Sequence, residues 1–125
     1  MGPLHGIPIA IKDIVGTVDM PTECGTVIKE EKSFLQNAEI IDLLLAAGAI
    51  VMGKTVTAEL AYLGPPKTTN PHDHTRTPGG SSSGSAAAVA SFMAPLSIGS
   101  QTGGSVIRPA SYCCLLYTSP SPRDS

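Results

Sequence analysis

Between Pro78 and Pro109 the chain reads Pro-Gly-Gly-Ser-Ser-Ser-Gly-Ser-Ala-Ala-Ala-Val, then a largely apolar run to Ile98. It continues as Gly-Ser-Gln-Thr-Gly-Gly-Ser-Val-Ile-Arg-Pro. Two glycine-serine turns therefore flank a helix, capped by Ser83 or Ser85 and reaching about Met93, and a small-residue strand, Leu96–Ser100. Pro95 separates the two, because its ring cannot continue a helix. Serine beside glycine brings a hydroxyl and bare backbone N–H groups close to a ligand, which anion binding and acyl transfer both require.

The same alternation runs through the rest of the chain. Ile7–Ile14 reads as a short buried strand, with Pro8 near its start where a missing donor is tolerated. Residues 16–33 read as a long surface loop. Asn37 has the character of an N-cap for a helix over 38–47, whose Ile40, Ile41, Leu44 and Leu45 form an apolar stripe and whose C-cap is Gly48. Residues 49–52 form a buried strand, and 55–63 a second short helix capped by Thr55 or Thr57. Residues 64–78 form a proline-rich loop, and helix–strand alternation of this kind indicates an α/β architecture.

Only 14% of the residues are charged, against about 25% in ordinary soluble domains. That suits sheet and helices covered on several sides. A net charge of −2 gives no electrostatic case for nucleic acid or for an acidic membrane. The three cysteines, Cys24, Cys113 and Cys114, suit neither a disulfide scaffold nor a zinc site. No apolar run approaches the roughly 18 residues of a membrane span and no basic-then-apolar leader opens the chain, so a cytoplasmic protein is expected. The opening residues run straight into a strand, as if sequence before them were missing.

Three motif matches fail on context. Gly48-Ala-Ile-Val-Met-Gly-Lys-Thr55 fits the phosphate-loop pattern, but its variable positions are themselves strand, where the pattern needs a loop following one. His72 and His74 alternate in a proline-rich loop with no third ligand. Gly80-Ser-Ser-Ser-Gly84 fits a nucleophile elbow centred on Ser82, yet all three histidines precede it. What remains is serine with lysine. Lys12 is the one lysine in a strongly apolar segment, and its neighbour Asp13 should point to the opposite face of a regular strand. It is either a strand-end lysine reaching water or a desolvated amine able to act as a base. In the second case it would act with Ser105 and a serine of the first turn.

Gly2–Asp13, Ala46–Thr55, Thr77–Ala88 and Gln101–Pro109, taken together and in this order, resemble the amidase signature family. The resemblance covers residues 2–113 and implies a partial α/β fold, a mixed β-sheet sandwiched by helices. It implies a Ser–cis-Ser–Lys triad with Ser105 as nucleophile, Ser81 as the bridging serine in a cis peptide and Lys12 as base. The backbone N–H groups of Thr102, Gly103, Gly104 and Ser105 would form the oxyanion hole. It further implies hydrolysis of a small-molecule carboxylic amide through an acyl-enzyme, with no cofactor and no metal, in a parent protein for which a homodimer is one arrangement.

Two alternatives stand beside that reading: the A subunit of a glutamyl-tRNA amidotransferase, and a non-catalytic fragment whose turns bind an anion. Gln101, where many relatives carry aspartate, and the segment 57–63 favour a free-standing amidase over the amidotransferase component. Residues 1–113 are expected to form a partial catalytic domain, inactive and poorly soluble by itself. Residues 114–125, with two prolines in four residues and no periodicity, are expected to be disordered or an artefactual end.

Overall fold

A computed structural model of the chain describes residues 2–27, 34–62 and 64–116. Its elements run β1 (Pro8–Lys12), α1 (Glu39–Ala46), β2 (Ile50–Thr55), α2 (Ser83–Ala90), β3 (Leu96–Ile98) and α3 (Ile107–Tyr112), with a 3-10 turn at Glu59–Ala61. The strands form one three-stranded sheet in the order β2-β1-β3. Both pairings are parallel.

Side chains on β1 alternate between two faces, and the two faces meet different partners. Ile9 and Ile11, both fully buried, cluster with Ile41 of α1 and Ala49. Removing each from water is worth about 1.5–3 kcal/mol. Ala10 and Lys12 look the other way, toward Ser81 and the start of α2. The first face is the core, and the second carries the polar chemistry.

α1 ends as the sequence indicates. Gly48 has φ +90, its N–H donates to the Leu45 carbonyl at 2.9 Å, and Ala49 N–H donates to the Leu44 carbonyl at 3.0 Å. This is the left-handed cap that glycine makes without steric cost. Its beginning differs from expectation. The N-cap position is Ala38, with no side-chain cap. Asn37 instead accepts the Val18 N–H at 2.9 Å and donates to Asp42 at 2.8 Å. Its amide ties the preceding loop to the helix and does not cap it.

β2 is longer than the sequence indicates, and the helix expected over 55–63 is absent from its described residues. Register along β1 pulls Gly53, Lys54 and Thr55 into the sheet opposite Ala10, Ile11 and Lys12, and Met52 is the extra residue of a bulge. Leu60 and Ala61 have positive φ, and Leu60 N–H donates to the Cys24 carbonyl at 2.8 Å. That long-range bond holds the segment out of helical geometry. Leu63 lies outside the described residues, as do residues 28–33 of the long loop.

α2 packs its first turn on the end of β2. Gly84 N–H donates to the Val56 carbonyl at 2.8 Å, and a Cβ on Gly84 would collide with the Val56 backbone. Glycine is required there by contact. The helix is regular to Ala90, short of the expected Met93.

α3 closes with a second left-handed cap. Cys114 at φ +57 donates to the Ser111 carbonyl at 3.2 Å, and Leu115 N–H donates to the Ala110 carbonyl at 2.8 Å. The boundary expected at residue 113 falls inside this cap, and Cys114, Leu115 and Leu116 belong to the described structure. Residues 117–125 lie outside it. The partial fold leaves Ile50, Met52, Leu60, Phe92 and Met93 exposed. Among the described residues, no helix is long and apolar enough to cross a membrane.

Candidate active site

Three segments meet at the carboxyl ends of the parallel strands, the end of such sheets where ligand sites form. Lys12 is the last residue of the central strand. Ser100 follows β3, and Ser81 and Ser82 precede α2. Lys12 is 0% exposed and Ser81 1%. The Lys12 Nζ reaches the Ser81 Oγ at 2.8 Å, and the Gly80–Ser81 peptide bond is cis.

Among the described residues no carboxylate pairs with Lys12. Its other partners are the Ser100 Oγ at 3.0 Å and the Ser100 carbonyl at 3.3 Å. Burial without a counter-charge disfavours the ammonium form, and the pKa falls from 10.5 to about 8. The alternation expected at this strand holds, since Asp13 turns away and meets Lys54 at 3.5 Å.

The geometry also separates Ser81 from Ser82. Lys12 meets the Ser81 hydroxyl, whereas the Ser82 Oγ donates to the Ser100 carbonyl and accepts the Ser100 N–H, each at 3.2 Å. Ser82 thus staples the first turn to the second. Farther along the run, Ser85 Oγ is 2.7 Å from Thr55 Oγ1 and donates to the Ile98 carbonyl at 2.9 Å.

Ser105 joins the same locus through the backbone, its carbonyl accepting the Ser82 N–H at 3.0 Å. Its side chain is half-buried and lines an open cavity of about 610 Å³ with Gln101, Gly103, Gly104, Ile107 and Arg108. Among the described residues its hydroxyl has no hydrogen-bond partner, and no acceptor meets the N–H groups of Thr102, Gly103, Gly104 and Ser105. A Cβ at Gly103 or Gly104 would meet nothing within 4 Å, so this backbone lies bare to the cavity. The structure therefore joins Lys12 to Ser81 directly and joins Ser105 to that pair by way of Ser82.

Two side chains given no role by the sequence reading hold the turns. Gln101 Oε1 accepts the N–H groups of Val106 and Ile107 at 3.0 and 2.9 Å, which caps the start of α3. Arg108 donates to the Gly80 carbonyl from Nε at 3.0 Å and from Nη2 at 2.8 Å. Both lie in the Gln101–Pro109 motif, but only the fold connects Arg108 to residue 80.

The disfavoured motifs are engaged in structural contacts. Lys54, the lysine of the phosphate-loop match, lies in β2 and donates to the Val15 carbonyl and Thr22 Oγ1, both at 2.7 Å. His72 Nε2 is 3.0 Å from the Cys113 carbonyl. Among the described residues no group of three His, Cys, Asp or Glu side chains could hold a metal ion.

Comparison with known proteins gives the family. The Amidase family pattern matches residues 1–121. The A subunit of the glutamyl-tRNA(Gln) amidotransferase of Methanosarcina barkeri (strain Fusaro / DSM 804) is 48% identical over 96% of this chain and 26% of its own length. Native peptide amidase from Stenotrophomonas maltophilia superposes with a TM-score of 0.81 at 38% identity, covering 87% of this chain and 24% of that one. The A subunit of the glutamyl-tRNA(Gln) amidotransferase of Thermotoga maritima gives 0.78 at 41% identity, over 90% of this chain and 26% of that one. This chain spans about a quarter of the length of the relatives it matches. With the family pattern matching nearly the whole chain, the chain belongs to the Amidase family.

Proposed function

We propose that the polypeptide carrying this segment cleaves small-molecule carboxylic amides through a serine acyl-enzyme, with Ser105 as nucleophile, Ser81 as proton relay and Lys12 as base. The observation that carries this reading is the buried 2.8 Å contact between Lys12 and Ser81, where no carboxylate among the described residues pairs with the amine. A serine hydroxyl is a poor nucleophile until its proton is removed. A lysine whose pKa lies near 8 is neutral in a useful fraction of molecules near neutral pH.

As Ser105 Oγ attacks the carbonyl carbon, its proton passes to Ser81 Oγ, and the Ser81 proton passes to Lys12. The oxyanion is held by the free N–H groups of 102–105, aimed at charge that develops only during the reaction. Collapse of the tetrahedral intermediate breaks the C–N bond. The departing ammonia or amine recovers a proton from Lys12 through Ser81. Water then attacks the acyl-enzyme by the same relay, releasing carboxylate and restoring Ser105. The roles need neither cofactor nor metal.

A second reading concerns context. The 48% identity to an amidotransferase component favours a polypeptide that works with partner subunits, against the weight the sequence reading gave to Gln101 and residues 57–63. Those relatives' names include a tRNA, a partner class for which the charge balance gives no case. Amide hydrolysis by the purified full-length polypeptide alone supports the free-standing amidase. Activity that appears only with partner subunits supports the other.

The chemistry itself is tested with Ser105→Ala in the full-length polypeptide. Turnover should vanish, together with fluorophosphonate labelling at Ser105. Turnover retained with an acyl group trapped on another residue contradicts the assignment. A wild-type protein that never labels at Ser105 is the result expected of an anion-binding module.

A further inference from the structure

Ser100 is neither nucleophile, relay nor base in the proposed mechanism, yet its side chain touches the base. Its hydroxyl oxygen lies 3.0 Å from Lys12 Nζ and its carbonyl 3.3 Å. Its own backbone is fixed on both sides by the Ser82 hydroxyl. Among the described residues, Lys12 is the only partner of the Ser100 hydroxyl. The Lys12 amine thus has three oxygen neighbours, Ser81 Oγ, Ser100 Oγ and Ser100 O.

A neutral amine has two N–H groups and one lone pair. The Ser100 carbonyl can only accept, so it takes one N–H. If the Ser100 hydroxyl takes the other, the lone pair is left facing Ser81 Oγ, the shortest of the three contacts. We infer that Ser100 is a positioning residue for the Lys12 amine, holding both N–H groups so that the lone pair faces the Ser81 hydroxyl. This rests on the reading of Lys12 as base. Ser100 is not among the residues lining the cavity beside Ser105, so its effect falls on proton transfer and not on substrate binding.

The ammonium form supplies a signature that a merely structural role lacks. It has three N–H donors and, in this pocket, three oxygens to receive them. Removing the Ser100 hydroxyl leaves one donor buried without an acceptor, which disfavours the charged amine. The acid limb of the rate–pH profile then moves to lower pH even as the plateau falls.

The test compares Ser100→Ala, Ser100→Cys and Ser100→Thr in the full-length polypeptide. Turnover is normalised to active sites titrated with a fluorophosphonate, so that misfolded protein does not count. Alanine should lower kcat about tenfold, a fraction of what a positioned acid–base group contributes, with KM within twofold and the acid limb displaced downward. Cysteine fills the same space with a weak acceptor and should follow alanine, while threonine keeps the hydroxyl and should restore both rate and limb. An alanine or cysteine variant with wild-type kcat and pH profile overturns the inference, and so does a slowed variant whose acid limb has not moved. Lys12→Met is assayed alongside. If it retains turnover, the reading of Lys12 as base fails; if it is inactive and the Ser100 series is flat, only the inference about Ser100 fails.

Discussion

Lys12 and Lys54 stand one register step apart on neighbouring strands, Lys12 opposite Thr55 and Lys54 opposite Ile11. Both are largely withdrawn from water, and burial lowers the pKa of each. Their partners differ. Lys54 meets Asp13 at 3.5 Å, and that carboxylate pulls its pKa back up. It also binds the Val15 carbonyl and Thr22, so it clamps the loop that follows β1 onto β2. Among the described residues Lys12 has only serine oxygens as partners, and no carboxylate compensates its desolvation. The same side chain is a cross-brace where a carboxylate faces it and a candidate base where none does. Strand alternation accounts for the division, because consecutive residues 12 and 13 send the amine to one face and the carboxylate to the other.

The strongest challenge to this contrast replaces each lysine by methionine in the full-length polypeptide. Lys12→Met should reduce turnover by at least about 10³-fold, within the range that a positioned acid–base group supplies. Lys54→Met should leave kcat per active site within about threefold. Its cost should appear in denaturant unfolding as about 1–3 kcal/mol, because Asp13 and the Val15 carbonyl lose a partly buried partner. If the two variants exchanged these phenotypes, the contrast would be wrong.

A smaller effect sharpens the same contrast in stability. Between the folded pKa of about 8 and the ordinary 10.5, the unfolded chain binds more protons at Lys12 than the folded one. Stability must therefore rise with pH across that window and gain no slope from this group below it. The difference in unfolding free energy between wild type and Lys12→Met should grow in favour of wild type from pH 8 to 10.5. A constant difference would mean that the folded protein does not hold this lysine near neutrality.

The serine run offers the mildest case. Ser81, Ser82 and Ser85 each have partners, whereas the buried Ser83 hydroxyl has none among the described residues. Ser83→Ala removes an unsatisfied polar group and should raise stability by up to about 1 kcal/mol. A loss of more than that would show that the hydroxyl is satisfied after all.

Much of this arrangement is legible in the sequence. β1, the Gly48 cap and the helix after the first glycine-serine turn follow from local pattern and apolar context, whereas the pairing of Lys12 with Ser81 is implied only by the family resemblance. Three of the departures share one physical origin. The length of β2 is set by register with β1, the backbone at Leu60 by a bond to Cys24, and Asn37's amide by Val18. Each is a long-range contact overriding a local preference. Ser82, Ser100 and Arg108 escape notice as positioning groups for the same reason. Arg108 lies 28 residues from the carbonyl it grips, and Ser100 lies 88 residues from the amine it touches. Spacing alone cannot reveal either.

The most direct measurement is the rate at which Ser105 is acylated by a fluorophosphonate as a function of pH, in wild type and in Lys12→Met. If neutral Lys12 is the base, the wild-type rate rises through a midpoint near its pKa of about 8, and the variant reacts slowly and without that midpoint. A wild-type rate that is flat from about pH 6 to 10, or a variant acylated as fast as wild type, would contradict that role.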